Sequence, residues 1–206
     1  MIISVEGIDG SGKTTQARLL AESLGHLEPP PLLVREPGGT GAGEGIRELL
    51  LNRELTISRE TEILLYAAAR AELLTQVIGP AVKAGRLIIC DRYIDSTLAY
   101  QGYGLGGELD WIRDLNCRVV GSLTPSLTFL LDLPVERAAA RRPGKADRVE
   151  QRETGFHQRV RRGYLELASL EEERFVILDA LQSPEELRQV IWEQVQRRCL
   201  PPPGVE

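Results

Sequence analysis

"EGIDGSGKTT", Glu6 to Thr15, is the stretch from which the rest of the chain can be read. Gly7, Gly12, Lys13 and Thr14 satisfy G-x-x-x-x-G-K-[ST]. Glycines let backbone N–H groups converge on phosphate oxygens, and the N-terminus of a following helix adds partial positive charge. Lys13 is placed to bridge terminal phosphates and the Thr14 hydroxyl to ligate Mg²⁺. The alternative is a glycine turn carrying an exposed lysine. Context argues against it. "MIISVE" reads as a buried strand, and Lys13 to about Leu24 as a helix ended by Gly25. One residue looks out of place: Asp9 puts a carboxylate inside a loop built for anions.

Outward from the loop, strands and helices alternate. "LLVRE" (32–36), "RLIICD" (86–91), "SLTFLLDL" (126–133) and "RFVILD" (174–179) read as strands. Helical patterns cover 59–83, 96–101, 109–120 and 151–172. A last helix is capped by Ser183, with Pro184 at its first position and Glu186 completing a capping box. A glycine-rich loop is expected at 102–107 and a polar one at 141–148. This alternation predicts an α/β protein whose parallel sheet is covered on both faces. One domain is expected over 1–200, with 201–206 a frayed tail.

Composition narrows the partners. A net charge of −5 argues against sequence-blind nucleic-acid binding, so an anionic ligand needs a local basic pocket. Cys90, Cys117 and Cys199 form neither a disulfide framework nor a zinc pattern. The chain opens on a strand without a basic leader, and its apolar runs fall short of the ~20 residues that span a bilayer. The expectation is a cytoplasmic protein with no membrane or nucleic-acid partner.

Ile8, Asp9, Gly10 and Ser11 leave the loop without an arginine. Phosphoryl transfer develops more charge than one lysine and one Mg²⁺ offset, so arginines are expected elsewhere. Three settings stand out. Asp91-Arg92-Tyr93 ends a buried strand, at the carboxyl edge where α/β sheets bind ligands. There Asp91 can hold Mg²⁺ and Arg92 a phosphate, or the two can form a surface pair. Arg70 lies in the nearly apolar "ILLYAAARAELL" (63–74), four residues after Tyr66. It either pairs with an internal carboxylate or, beside an aromatic face, serves a flat base with carbonyl acceptors. The third is the basic run 136–152, with Arg137, Arg141, Arg142, Lys145, Arg148 and Arg152, broken by Pro143 and Gly144. It reads as a mobile lid or as a solvated turn. "VREPGGTG" (34–41) adds Arg35 and Glu36 at another strand end, with Arg47 after it.

"EGIDGSGKTT", "REPGGTG", "YAAARAELL" and "CDRYIDSTLAYQGYG", followed by the arginine-rich segment, closely resemble the bacterial thymidylate kinases in order and spacing. The likeness spans about residues 2–182. It implies ATP-dependent conversion of dTMP to dTDP. It also implies a doubly wound, five-stranded parallel sheet flanked by helices, the P-loop nucleoside monophosphate kinase fold, and usually a homodimer. By the same resemblance Asp9 faces the acceptor sugar's 3′-hydroxyl, which accounts for its charge. Arg70 looks like the donor to a thymine carbonyl, and Tyr66, where many relatives carry phenylalanine, like the stacking partner. Arg92 and Arg35 resemble the groups that grip the dTMP phosphate. Glu36, Arg47, Thr97, Tyr100 and Gln101 fall on the thymidine pocket, with Tyr100 near C2′. The ATP site would comprise Gly7, Gly10, Ser11, Gly12, Lys13, Thr14, Thr15, Arg137 and Ala180, and the metal site Thr14 and Asp91. Arg141, Arg142 and Arg148 are the lid candidates that join Lys13, Asp9 and Arg92 in catalysis. A loop without arginine and a basic lid are the bacterial pattern. This lid is about one residue longer than in some relatives, which leaves open which arginine reaches the phosphoryl group.

Rival readings lack their marks. A GTPase needs N-K-x-D, but Asn52 and Asn116 are followed by Arg53 and Cys117. No second glycine signature of an ABC-type motor is visible. Another small-molecule P-loop kinase would share the loop and lid but not "REPGGT" or the Tyr66/Arg70 pair.

Overall fold

A computed structural model describes residues 1–141 and 146–199. Arg142 and Lys145 of the basic segment and the expected tail at 201–206 lie outside the described residues. Five strands, β1 (Ile2–Glu6), β2 (Leu32–Arg35), β3 (Ile88–Asp91), β4 (Leu127–Asp132) and β5 (Phe175–Asp179), form one parallel sheet in the order β2-β3-β1-β4-β5. All five were legible in the sequence. The chain winds to one side of β1 for β2 and β3 and to the other for β4 and β5. The crevice at the carboxyl end of β1 is therefore where the winding reverses, the usual place for a ligand.

The helices are α1 (Lys13–Ser23), α2 (Gly41–Leu51), α3 (Arg59–Leu73), α4 (Gly79–Lys83), α5 (Ile94–Thr97), α6 (Leu109–Val120), α7 (Val135–Arg141), α8 (Thr154–Leu170) and α9 (Pro184–Cys199). Strand alternation splits the core between the two faces. Ile3, Val5 and Ile89 pack with α1, α8 and α9 on one face. Ile2, Ile88 and Cys90 pack with Leu73, Leu74 and Ile78 on the other. Ser4, polar inside a buried strand, is satisfied by Thr128 at 2.7 Å.

The capping reading of the last helix is correct: Ser183 N–H donates to Glu186 Oε2 at 2.8 Å, and Glu186 N–H to Ser183 Oγ at 3.3 Å. Several boundaries differ from expectation. The helix expected over 59–83 widens into a π-helical turn at Leu74–Ile78 before α4. Pro80 has no N–H for the residue four positions back, so the regular ladder cannot run through it. The loop expected from 102 begins later, because Leu98–Gly104 is a second π-helical segment. The helix expected from 151 starts at Thr154.

That second π-helical segment is held by close packing on α8. A Cβ on Gly163 would lie 2.5 Å from Tyr103 Cγ, and one on Gly104 2.6 Å from the Phe156 ring. Two glycines thus let α8 and the segment approach. Gly163→Ala is expected to cost about 1–3 kcal/mol by overpacking. Urea unfolding checks this, and an unchanged midpoint would show that the contact is not tight.

Candidate active site

The phosphate loop connects β1 to α1, and positive φ at Gly7, Gly10 and Gly12 gives it its shape. At Gly10 a side chain has no room: a Cβ would meet Ala138 O of α7 at 2.5 Å. The loop is thereby packed under α7, which carries Arg137 and Arg141. Lys13 Nζ donates to Ile8 O at 2.8 Å, folding its side chain back over the loop. Burial, with Arg92 nearby, pulls its ammonium down to about 8. Ser11 Oγ is buried without a partner, a donor suited to a phosphate oxygen. Thr14 and Thr15 are exposed at the start of α1.

Register brings the second cluster to the loop. Val5 pairs with Asp91, so β1 and β3 end side by side. Thr14 Oγ1 donates to Asp91 Oδ2 at 2.5 Å. Among the described residues no group of three metal-ligating side chains exists. A hydroxyl beside one carboxylate is nevertheless what Mg²⁺ takes when phosphates and waters fill its other positions, so this pair fits the ion. Arg92 follows with φ 71°, the one non-glycine described residue with positive φ. Such a conformation costs of order 1 kcal/mol and persists only where neighbours impose it. Arg92 N–H donates to Val5 O at 3.1 Å. Its guanidinium forms an ion pair with Asp9, donates to Gly7 O at 3.3 Å and to Ser96 Oγ at 3.2 Å, and sits 4.9 Å from the Tyr100 ring centroid. Tyr100 OH donates to the other Asp9 oxygen at 2.7 Å.

Beyond this pair lies a cavity. Its wall includes Asp9, Arg92 and Tyr100 at the loop end, Arg70, Thr97 and Gln101 at the far end, and Glu36, Arg47 and Tyr66 along the side. Nine residues from four separate sequence segments are thus brought together. Arg35 is not among them: it is exposed and meets Glu44 at 3.4 Å. Arg70 is 1% exposed and is heavily used. It donates from Nε to Glu36 Oε2 at 2.8 Å, from Nη1 to Asn116 Oδ1 at 2.8 Å, and from Nη2 to Tyr93 O and Thr97 Oγ1. The internal pairing that the sequence left open is therefore present, and Arg70 lines the cavity as well. Burial pushes the Glu36 carboxyl upward against the pull of Arg70, and its Oε1 is buried without a partner.

A phosphate loop thus opens beside a cavity lined by Arg, Tyr and carboxylate groups. A family model described as thymidylate kinase matches residues 5–191. The chain belongs to the thymidylate kinase family. Similar proteins include the thymidylate kinases of Synechococcus sp. (strain JA-3-3Ab), 49% identical over 200 residues and 97% of each chain, and of Deinococcus radiodurans, 45% identical over 202 residues, 96% of this chain and 97% of that one. The crystal structure of thymidylate kinase from Ehrlichia chaffeensis matches with a TM-score of 0.80 at 34% identity, covering 95% of this chain and 98% of that one.

The basic segment divides. Arg137 is exposed. Arg141 Nη1 donates to Ala180 O at 2.9 Å, tying α7 to the loop after β5. Arg148 donates to Leu50 O and to Glu62 Oε2, both at 2.7 Å, and Arg152 joins it on Glu62 at 2.7 Å. These two arginines grip the first turn of α3. Sequence reasoning missed Glu62, although Glu62, Tyr66 and Arg70 share one stripe at i, i+4 and i+8. It also missed Asn116 and Tyr93 as partners of Arg70, for which no local signal exists.

Glu6 was missed too. Fully buried at the end of β1, its Oε1 accepts Tyr93 N–H at 2.7 Å, and its Oε2 lies 2.6 Å from Ser96 Oγ and 2.9 Å from Tyr164 OH. Those hydroxyls are 2.8 Å apart. Burial, with Asp95 nearby, pushes its carboxyl up to about 7 against the pull of the Ser96 and Tyr164 hydroxyls and of Arg92. A raised carboxyl favours the folded state below its ordinary value near 4.5 and loses that advantage as pH rises through 7. Glu6→Gln should therefore remove a component of stability, on the order of 3 kcal/mol, that falls between those two pH values. Urea titrations of both proteins at steps across this window check it, and parallel curves would refute it.

Proposed function

We propose that this chain transfers the γ-phosphoryl group of ATP to dTMP, giving dTDP and ADP for dTTP synthesis. The observation that carries the reading is the Asp9–Arg92–Tyr100 cluster, which joins the phosphate loop to the acceptor cavity. ATP would lie on Gly7, Gly10, Ser11, Gly12, Lys13, Thr14 and Thr15, with Arg137 and Ala180 toward the nucleoside. Bound at Thr14 and Asp91, Mg²⁺ would neutralise charge on the β- and γ-phosphates.

dTMP would enter the cavity base first. Arg70 has five N–H groups, and its bonds leave one on Nη1 for a base carbonyl. Tyr66 would stack on the ring and Thr97 and Gln101 line its edge. Asp9 would accept from the 3′-hydroxyl, and Tyr100 would crowd C2′. Arg92 and Arg47, with Arg35 from outside the cavity, would hold the acceptor phosphate. Arg92 then serves two anions: it already neutralises Asp9, which makes a carboxylate tolerable beside phosphates, and it orients the attacking oxygen. That oxygen is ionised near neutral pH and needs no strong general base, so rate would come from in-line positioning and charge compensation.

Arg141, with Arg142 outside the described residues, would supply lid charge, while Arg148 contributes through Glu62. Residues 1–200 would act as one kinase domain. Among the described residues no helix is long and apolar enough to cross a membrane. A cytoplasmic homodimer fits the family; half-exposed Leu49 and Leu64, on the adjoining α2 and α3, offer apolar surface to such a contact.

An ADP-release assay with ATP and Mg²⁺ across a panel of nucleoside monophosphates tests the activity. dTMP should be the best acceptor, and failure to convert it would end the reading. A second test concerns Lys13. Its ammonium sits near 8 in the free protein, and a triphosphate raises it again. ATP binding about one pH unit above that value should take up close to one proton, and at pH 8 about half of one, measured by calorimetry in buffers of different ionisation enthalpy. Lys13→Met should abolish both the uptake and nearly all turnover, and uptake that persists would remove Lys13 from the donor site.

A further inference from the structure

Glu62 stands behind the acceptor cavity rather than in its wall. It lies in the first turn of α3 and is fully buried. Its Oε1 accepts the side-chain amide N–H of Gln101 at 2.9 Å. Its Oε2 is held by Arg148 and Arg152, each at 2.7 Å, so the carboxylate cannot rotate away. Gln101, in contrast, is 1% exposed and lines the cavity.

A carboxylate only accepts hydrogen bonds, so the Gln101 amide must turn its NH₂ toward Glu62. The amide is planar, so with its NH₂ on Glu62 its Oε1 points away from that carboxylate. Among the described residues nothing donates to that oxygen. The cavity therefore presents a fixed acceptor from Gln101 beside the donors of Arg70. Thymine and uracil match this pair with N3–H next to the O4 carbonyl. Cytosine meets it with a bare N3 next to an amino group, an acceptor against an acceptor and a donor against donors.

We propose that Glu62 is a specificity-determining positioning residue: by fixing the Gln101 amide with its oxygen toward the cavity, it admits pyrimidines that carry N3–H and excludes cytosine. The proposal rests on the reading that the dTMP base occupies this cavity. Without a carboxylate behind it the amide can flip and offer its N–H to cytosine N3, while its match to thymine is no longer enforced.

The test compares kcat/KM for dTMP and dCMP in the wild type and in Glu62→Gln, whose oxygen Arg148 and Arg152 would hold, leaving its NH₂ to face Gln101 and turn that amide over. The ratio of the two values should fall at least about tenfold, the weight of one oriented hydrogen bond. Donor-side and general structural damage cancels in this ratio, because ATP is common to both reactions. An unchanged ratio overturns the proposal. Glu62→Asp is the second variant; it keeps charge facing Arg148 and Arg152 but draws the carboxylate back from Gln101. It should shift the ratio the same way, and an unchanged ratio there overturns the proposal even if Glu62→Gln does not fold. A wild type that phosphorylates dTMP while neither variant alters the ratio sinks this inference alone. A wild type inactive on dTMP sinks it together with the functional reading.

Discussion

The ion pair between Asp9 and Arg92 is the interaction on which the rest of the site depends. It closes a gap between two chain segments that leave the sheet together, because Val5 and Asp91 are paired in register. Asp9 holds Arg92 over the Tyr100 ring, and Tyr100 binds the second Asp9 oxygen. The left-handed backbone at Arg92 is tolerated because Arg92 N–H and Tyr93 N–H are both engaged, by Val5 O and Glu6 Oε1. A strained residue at a strand end is thus locked from both sides, and its side chain becomes a wall between the phosphate loop and the adjoining cavity.

Around this pair the protein buries an unusual set of ionisable groups, each solved differently. Glu36 is opposed by Arg70, Glu62 by Arg148 and Arg152, and Asp95 by Arg174 at 2.7 Å. Glu6 is met by two hydroxyls and the Tyr93 N–H, and burial pushes its carboxyl up to about 7. Well-packed apolar residues would often stabilise a fold as well as buried ion pairs do. What such pairs add here is direction. They hold Arg70, Arg92 and, through Glu62, Gln101 in place at the cavity wall. A site that discriminates nucleotides needs donors and acceptors that cannot reorient on contact with the wrong one.

Much of this was legible in the chain. The phosphate loop announces itself because its chemistry is local: glycines, lysine and threonine act within one turn, and their spacing alone places them. The five strands are legible because a buried parallel strand must be a short apolar run. Boundaries were less so. The π-helical segment at Leu98–Gly104 depends on α8 packing through Gly163, a contact between residues far apart in sequence.

The sequence by itself determined the fold class, the phosphate loop and the residue types that line the cavity beside it. A local pattern carries that information whatever lies beside it. Only the tertiary structure decided what each charge does. Arg70 could read as a buried pair or as a ligand donor, and the fold gives it Glu36, Asn116 and Thr97 along with a place in the cavity wall. Arg148 reads as a lid arginine and is bonded to Glu62, and the buried roles of Glu6 and Glu62 emerge only in the fold. An ionisable group takes its role from its partners and its burial, and both are set by segments that meet only when the sheet and its helices close around them.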